Sequence, residues 1–496
     1  MSSPDTDTTP SIENPHHDRR WLILAFLGLA QLMVVLDATI VNIALPSAQT
    51  DLGFSDDSRQ WIITAYALAF GSLLLIGGRV SDYFGRKRTM IAGLLGFAGA
   101  SAIGGAAPSF EVLVGARALQ GAFGALLAPA ALSLLTTTFT EPGERAKAFG
   151  VYGAIAGGGG AVGLLLGGIL TEYLDWRWNM YVNLFFAVPA AIGVGLLLVN
   201  QVPKIRARMD VPGALTASAG LFGLVFGFSR AEAEGWGATV TLVSLGLGAI
   251  LLTAFILIQR RSANPMLPLR VVTDRNRGGS YLAVAVVGAS MFGVFLFLTY
   301  YLQETMGFTP VRTGLAFLPM IAGLMISAMS ASTRLLPRFG PRPLIPTGMI
   351  LAMSGMIYLT GVGVGSSYAA DVLPGLLLLG FGFGLVIAPS MASATLGVAP
   401  ADAGVASAMV NTSQQVGGSI GTALLSTISA SAVTSFAAGK APSADLMAQA
   451  AVHGYTTAFW WSAAILGVGA VATAVLLKSG APEAQAEGEG GLAMAH

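Results

Sequence analysis

Between apolar stretches centred near residues 70 and 97, the sequence reads GRVSDYFGRKR (residues 78–88), with four basic residues among eleven. A related loop, TRLLPRFGPR (residues 333–342), lies between two later apolar stretches and shares Arg, Phe and Gly with the first loop at an offset of 255 residues. Short basic loops between long apolar runs are typical of the cytoplasmic side of membrane proteins. The two loops therefore predict a helical membrane protein with an internal repeat.

The composition excludes a soluble globular protein. Apolar residues make up 54% of the 496 residues and charged residues only 10%, whereas soluble domains carry about 25% charged residues. The chain has no cysteine and four histidines, so we expect no disulfide, no metal centre and no cofactor. A net charge of +1 gives no reason to expect nucleic acid as a partner.

The apolar runs are long enough to cross a bilayer as helices, which takes about 20 residues each. Fourteen runs, numbered here as spans 1 to 14, are centred near residues 32, 70, 97, 121, 158, 188, 219, 248, 290, 323, 352, 381, 416 and 466. The sequence therefore predicts an all-α polytopic membrane protein with fourteen transmembrane helices.

The distribution of basic residues predicts the orientation. With the N-terminus inside, twenty of the 26 basic residues fall on the cytoplasmic side, five fall outside, and Arg117 lies within span 4. The opposite orientation would violate the positive-inside rule by the same margin. Because fourteen is even, both termini are predicted to be cytoplasmic, and the Gly- and Ala-rich composition favours the plasma (inner) membrane of a bacterium.

The offset between the two loops predicts the domain organisation. Two adjacent six-helix halves would lie about 190 residues apart, and the remaining 60 or so fit two extra helices, spans 7 and 8. We predict a disordered cytoplasmic tail (1–20), an N-terminal six-helix bundle (21–203), two linker helices (204–262), a C-terminal six-helix bundle (263–478) and a second disordered cytoplasmic tail (479–496).

Several segments together resemble a known family. The 78–88 loop resembles the signature loop of the major facilitator superfamily. The segments LDATIVNIALP (36–46) in span 1, RALQG (117–121) in span 4, YLQ (301–303) and GVAS (404–407) resemble its fourteen-helix drug:proton antiporter branch.

Span 5 carries a further resemblance, to the antiporter motif G-x8-G-x3-G-P-x2-G-G of that branch. The glycines of the motif are present at the same spacings, as Gly150, Gly159, Gly163, Gly167 and Gly168. Leu164 stands where the motif has proline, which removes the proline kink and weakens the inference of obligate exchange. Small residues also have a structural explanation, because they let helix backbones approach closely in lipid.

The resemblance implies a proton-coupled secondary transporter that exports amphipathic organic compounds, such as drugs, antibiotics and lipophilic cations, by alternating access. Its expected partners are a small-molecule substrate, protons and membrane lipid, and we expect a functional monomer driven by the proton-motive force.

Two intramembrane charges are the first candidates for coupling. Asp37 lies in span 1, where a charge costs about 2.5–3.5 kcal/mol on insertion scales, so its carboxylate should face the bundle interior or a water-filled cavity. Loss of water favours the protonated form of a carboxylate, and a cationic substrate would compete with the proton. The alternatives are a structural pair with Arg117 and, for Arg117, a side chain that reaches the outer surface. Glu304, near the outer end of span 9, is a loop residue or a second coupling carboxylate.

The resemblance also assigns a conformational latch to the signature loop. Its residues are Gly78, Asp82, Gly85, Arg86, Lys87 and Arg88. A turn and a basic cluster at the inner leaflet explain the glycine and the cations but leave Asp82 unexplained. In the family this carboxylate engages the other half, near the helix that follows residues 400–402 here.

Polar and aromatic residues within the spans are candidates for lining the substrate cavity: Asn42, Trp61, Gln120, Phe292, Tyr300, Tyr301, Asn411 and Gln414. Hydrogen bonds between helices and packing against lipid are the simpler explanations for such residues.

Three other functions compete with multidrug export. One is a dedicated exporter of a single metabolite, amino acid, siderophore or self-made antibiotic, since cavity shape decides substrate choice. Another is a non-transporting receptor or scaffold, which would leave Asp37 dispensable. A membrane enzyme is not supported, because no nucleophile–base pair, metal cluster or phosphate-binding loop is present in the sequence.

Overall fold

The computed structural model describes residues 17–55, 58–139, 141–199, 210–262, 265–395, 398, 403–441 and 443–478. These residues form fourteen helices of at least 19 residues and no strand. One helix covers the centre of each predicted span, so the numbering is kept. Spans 1 to 14 are Arg20–Leu52, Gln60–Phe84, Arg86–Gly105, Phe110–Thr138, Pro142–Tyr173, Trp178–Leu197, Val211–Glu234, Thr239–Arg261, Arg275–Tyr300, Pro310–Ser330, Pro341–Leu359, Leu373–Thr395, Ala403–Ala437 and Ala444–Leu476.

Short segments extend or connect these helices. One turn of π-helix lengthens span 9 over Tyr301–Thr305, another follows span 10 at Ala331–Leu335, and a third precedes span 12 at Tyr368–Val372. Short helices lie at Leu269–Thr273 and Leu336–Phe339, and a 3-10 turn at His17–Arg19 precedes span 1.

Ten of the described helices are long and apolar enough to cross a membrane. The other four long helices, spans 2, 3, 5 and 11, each pack against neighbouring spans, and the stretch Gln60–Leu74 of span 2 is also apolar. The predicted class, an all-α polytopic membrane protein with fourteen helices, is confirmed.

Helix packing repeats along the chain. Span 1 packs on spans 5 and 6, span 4 on spans 2 and 3, and span 3 on span 6. The same partnerships recur eight spans later, between span 9 and spans 13 and 14, span 12 and spans 10 and 11, and spans 11 and 14. Contacts across the two sets join span 2 to span 13 and span 5 to span 10. The repetition supports the predicted division at 21–203, 204–262 and 263–478, which stays a prediction.

Spans 7 and 8 pack on each other, and span 7 lies against spans 2 and 13. Their contact is close, because a Cβ on Gly223 would lie 3.0 Å from the Cα of Gly248. Asp210 and Gln259 connect the ends of the pair through a 2.6 Å hydrogen bond from Nε2 to Oδ2. The extra helices therefore cover the region where the two sets of spans meet.

The two basic loops share a backbone conformation as well as a sequence pattern. Gly85 has φ 92° and donates its N–H to the Ser81 carbonyl, while Gly340, 255 residues later, has φ 75° and donates to the Leu336 carbonyl. Residues with a Cβ rarely adopt positive φ. A glycine is therefore needed at the same turn in both copies.

Substituting either turn glycine is expected to destabilise the protein. Gly85→Ala and Gly340→Ala each force a Cβ into a strained conformation, at a cost of about 1–3 kcal/mol. Thermal unfolding in detergent measures the loss. The matched control is Gly99→Ala inside span 3, where a Cβ meets nothing within 4 Å and alanine favours the helix. Equal stability of all three variants would contradict the prediction.

Candidate functional site

Asp37 is fully buried near the middle of span 1, with 0% of its surface exposed. Its carboxylate accepts hydrogen bonds from Arg117 Nη1 at 2.6 Å, Gln120 Nε2 at 2.9 Å and Asn183 Nδ2 at 2.7 Å. Three donors from spans 4 and 6 therefore replace the water that the carboxylate loses on insertion. The expectation that Asp37 faces the bundle interior matches this placement.

Arg117 is also buried, at 2% exposure, and does not extend to the surface. Besides Asp37, its guanidinium donates to Gln120 Oε1 at 2.9 Å and to the Ile62 carbonyl at 3.2 Å. It also lies 4.4 Å from the centre of the Tyr66 ring. The pairing of Asp37 and Arg117, which was open in the sequence, is present, and their part in proton coupling stays a prediction.

Two members of this network were not among the residues predicted from the sequence. Ser101 in span 3 accepts hydrogen bonds from Gln120 and Asn183, both at 2.9 Å, and donates to the Met180 carbonyl at 2.7 Å. Asn183 lies in an otherwise apolar part of span 6. An amide in such a run needs a polar partner, and that signal was available in the sequence.

The network is rich in donors directed at one carboxylate. Removing one member of a buried ion pair typically costs 3–5 kcal/mol, because the remaining charge loses its compensation. Asn183 Oδ1 and the Tyr66 hydroxyl have no hydrogen-bond partner among the described residues. The contacts of Asp37 therefore join spans 1, 4 and 6 directly, and Arg117 adds span 2 through the Ile62 carbonyl.

Glycines bring these helices close enough to form the network. A Cβ on Gly121 would lie 2.3 Å from the Tyr66 carbonyl oxygen, and one on Gly104 would lie 3.3 Å from the Ala116 Cβ. Spans 2 and 3 therefore approach span 4 at the depth of Arg117 and Gln120.

The antiporter glycines of span 5 lie against two neighbouring helices, spans 1 and 10. A Cβ on Gly163 would clash with Thr39 Oγ1 of span 1 at 2.0 Å. Gly159 and Gly167 also face span 1, whereas Gly168 faces the start of span 10 at Pro310 and Val311. The surroundings of Gly150 lie outside the described residues.

Leu164, which replaces the motif proline, is buried. If Gly314 of span 10 carried a Cβ, that atom would lie 2.5 Å from the Leu164 carbonyl oxygen. Together with Gly168, this residue brings span 5 into backbone contact with span 10. The span 5 glycines therefore allow close packing within one half, at span 1, and close contact with the other half, at span 10.

The predicted outer end, where spans 1 and 9 finish, holds the two sets of spans together through polar contacts. Tyr300 donates its hydroxyl to Gln49 Oε1, and the Arg59 guanidinium lies 4.0 Å from the centre of the Tyr300 ring. Gln303 Nε2 donates to the Ile43 carbonyl at 3.1 Å. Glu304 is exposed and accepts a 3.5 Å hydrogen bond from Tyr455.

The other cavity candidates are distributed over several contacts. Tyr301 is buried and donates to the Gly363 carbonyl at 2.8 Å, and Asn42 donates to the Ala38 carbonyl of its own helix at 3.0 Å. Trp61 is half-buried with its ring 5.9 Å from the Phe226 ring of span 7.

The remaining candidates lie where spans 9 and 13 meet. Phe292, Asn411 and Gln414 are half-buried. A Cβ on Gly418 would lie 2.6 Å from the Phe292 ring, and one on Gly288 would lie 2.4 Å from the Gln414 carbonyl oxygen.

In the signature loop, Lys87 donates to the Gly195 carbonyl at 2.7 Å and so caps the end of span 6. Gly78 and Arg86 are half-buried and Arg88 is exposed. The Asp82 side chain and residues 400–402 lie outside the described residues, so the latch stays a prediction.

Comparison with known proteins identifies the family. A family model described as the Major Facilitator Superfamily matches residues 27–422. The chain belongs to the major facilitator superfamily.

Relatives and solved structures agree with this membership. The puromycin resistance protein pur8 of Streptomyces alboniger is 50% identical over 463 residues, which cover 93% of this chain and 92% of the relative. The cephamycin export protein CmcT of Amycolatopsis lactamdurans is 38% identical over 81% of this chain and 83% of the relative.

The fold resembles an inward-facing, occupied crystal structure of a bacterial homolog to the human lysosomal transporter Spinster, with a TM-score of 0.62, 17% identity and coverage of 94% and 97% of the two chains. Membership in the major facilitator superfamily makes this chain a membrane transporter and not an enzyme.

A double-mutant cycle on Asp37 and Arg117 is expected to give a large coupling energy. Asp37→Asn and Arg117→Met should each destabilise the protein by about 3–5 kcal/mol, and the double variant should lose less than the sum. Unfolding in detergent supplies the four free energies. The control cycle uses Arg230 and Glu234, an exposed pair at 3.2 Å, for which we expect about 0.5 kcal/mol or less. Strict additivity at Asp37 and Arg117 would contradict the prediction.

Proposed function

We propose that this transporter exports antibiotic-like organic compounds in exchange for protons, by alternating access between the two sets of six spans. The Asp37–Arg117 network is the observation that carries the proposal. It is a buried charge pair in the middle of the bundle. Gln120 and Asn183 orient the carboxylate, because each donates a hydrogen bond to it. Because a guanidinium does not lose its proton at ordinary pH, Asp37 is assigned the proton and Arg117 the role of sensing its charge.

The remaining predicted residues take secondary roles in this proposal. Protonation of Asp37 releases Arg117 and changes the packing of spans 1, 2 and 4. The span 5 glycines allow that movement against spans 1 and 10, and the signature loop with Asp82 holds the cytoplasmic end shut. Glu304 is exposed beside Tyr455, which makes it a weaker candidate for coupling than Asp37.

The proton-motive force is sufficient for export. One proton that enters down one pH unit and ~100 mV releases about 3.7 kcal/mol. That free energy sustains a gradient of roughly several hundred-fold for a neutral substrate.

The second candidate is a dedicated exporter of one antibiotic. It is favoured by the names of relatives, which specify single compounds such as puromycin and cephamycin. Another relative, Stp of Mycobacterium tuberculosis, is named a multidrug resistance protein. We therefore propose puromycin as the first compound to test and a panel of unrelated compounds as the measure of breadth.

The orientation and setting are part of the proposal. We propose a bacterial inner-membrane protein, active as a monomer in lipid, with both termini in the cytoplasm. The positive-inside distribution supports this orientation.

Transport assays with purified protein test the function. Proteoliposomes with a pH-sensitive dye inside are given a proton gradient, and puromycin or ethidium is added. We expect substrate-dependent proton flux from the unaltered protein, at least tenfold lower flux from Asp37→Asn, and nearly full flux from the control Glu304→Gln. Normal coupling in Asp37→Asn would move the coupling site elsewhere. Flux with puromycin alone would favour the dedicated exporter, and no flux with any of a dozen compounds would reject the export proposal.

The absence of cysteine allows a direct test of orientation. Ser55 lies exposed between spans 1 and 2, and Arg88 is exposed at the start of span 3. A membrane-impermeant maleimide should label Ser55→Cys in intact cells and should label Arg88→Cys only after permeabilisation. The reverse result would invert the proposed topology.

A further inference from the structure

Span 13 carries a row of buried polar atoms without hydrogen-bond partners among the described residues. They belong to Thr412, Gln415, Ser419, Thr422 and Ser426. Successive spacings of three and four residues place all five on one face of the helix. Ser419 and Thr422 are completely buried, and Thr412 and Ser426 are 6% exposed. Ser419 is also close to the midpoint of span 13.

At Gln415 this polar row contacts span 2, which belongs to the other set of spans and packs along span 13. A Cβ on Gly71 of span 2 would lie 3.0 Å from the Gln415 Cβ. Thr64, two turns before Gly71 on the same face of span 2, is completely buried, and its hydroxyl likewise has no partner among the described residues. The contact between the two sets of spans therefore has hydrogen-bonding groups on both sides.

Packing alone does not explain these groups. Helical Ser and Thr commonly donate to the carbonyl four residues earlier, as Thr427 of the same helix does to Ala423 at 2.9 Å. Buried hydroxyls that lack a partner cost free energy, which alanine or valine would avoid. Among the described residues nothing uses their hydrogen-bonding capacity in this conformation, and a separation of spans 2 and 13 would make it available.

The chemistry of the row selects the kind of group it would bind. Its five side chains carry no formal charge. The intramembrane carboxylate Asp37 is paired with Arg117 in the interior of the other set of spans. Hydroxyl and amide groups favour neutral polar groups, such as sugar hydroxyls, amides and ring nitrogens, over a bare organic cation.

We propose that the row from Thr412 to Ser426 is a substrate-binding strip that recognises the neutral hydrogen-bonding groups of the exported compound. This inference rests on the proposed export function and specifies its substrate class. The strip lies near the bilayer midplane, between the two sets of spans, which is where alternating-access transporters bind substrate. It assigns span 13 a direct role in choosing hydrogen-bonding compounds over purely lipophilic cations.

Kinetics with two probes test the strip. Puromycin is rich in hydroxyl, amide and ring-nitrogen groups, and ethidium is a permanent cation with few such groups. In proteoliposomes, Ser419→Ala and Thr422→Val should each raise the KM for puromycin roughly three- to tenfold, the factor for one lost hydrogen bond, with Vmax nearly unchanged. Neither variant should change the KM for ethidium, and Thr422→Ser should restore the puromycin KM.

The matched control is Thr427→Val, which removes a hydroxyl from the same helix that is already hydrogen-bonded. We expect it to leave the puromycin KM unchanged. The strip is rejected if Ser419→Ala and Thr422→Val keep the normal puromycin KM while thermal unfolding shows them folded, or if they impair puromycin and ethidium equally.

A binding assay separates failure of the strip from failure of the export proposal. Equilibrium binding of radiolabelled puromycin to detergent-solubilised protein needs no transport and no proton gradient. Weaker binding by Ser419→Ala and Thr422→Val, but not by Thr427→Val, supports the strip even if the unaltered protein moves no protons. Equal binding by all variants overturns the strip even if proton-coupled export is observed.

Discussion

A carboxylate of span 1 and a guanidinium of span 4, buried 2.6 Å apart, hold these two helices in one arrangement. Neither charge is tolerated alone in the middle of a bilayer, and each is compensated only if spans 1 and 4 keep their register. Gln120, Ser101 and Asn183 extend the constraint to spans 3 and 6, and the Ile62 carbonyl extends it to span 2. Through this network the Asp37 side chain is linked to four other helices.

Close contact between helix backbones also holds the spans together. The hydrophobic effect does not drive helices together in lipid, so packing and hydrogen bonds must do so. Glycines meet that need where span 5 crosses span 1 and where Gly168 touches span 10. The same packing scheme appears in both sets of spans, which allows one set to tilt against the other while each keeps its interior.

Charged and uncharged polar groups occupy different places in this protein. The ion pair is enclosed among the first six spans, whereas span 13, which carries the buried hydroxyls, packs on span 2 of the other set. This separation suits a transporter in which proton binding and substrate binding occur at different sites and are coupled by helix movement. At the predicted outer end, Tyr300, Gln49 and Arg59 connect the two sets of spans, so alternating access requires these contacts to break.

The sequence by itself determined the class, the helix count and the first two charged residues of the site. Lipid leaves backbone groups no partner except within a helix, so run length and hydropathy are sufficient to locate spans, and a lone Asp or Arg within a run is conspicuous. The ion-pair and hydrogen-bond partners of the site residues could not be predicted in the same way. Pairing with Arg117 remained one alternative for Asp37, Asn183 and Ser101 were missed, and the hydrogen bonds of Tyr300 to Gln49 and of Tyr301 to Gly363 could not be predicted. Those outcomes depend on which helix faces meet, and packing between residues far apart in the chain decides that, not the periodicity of any single span.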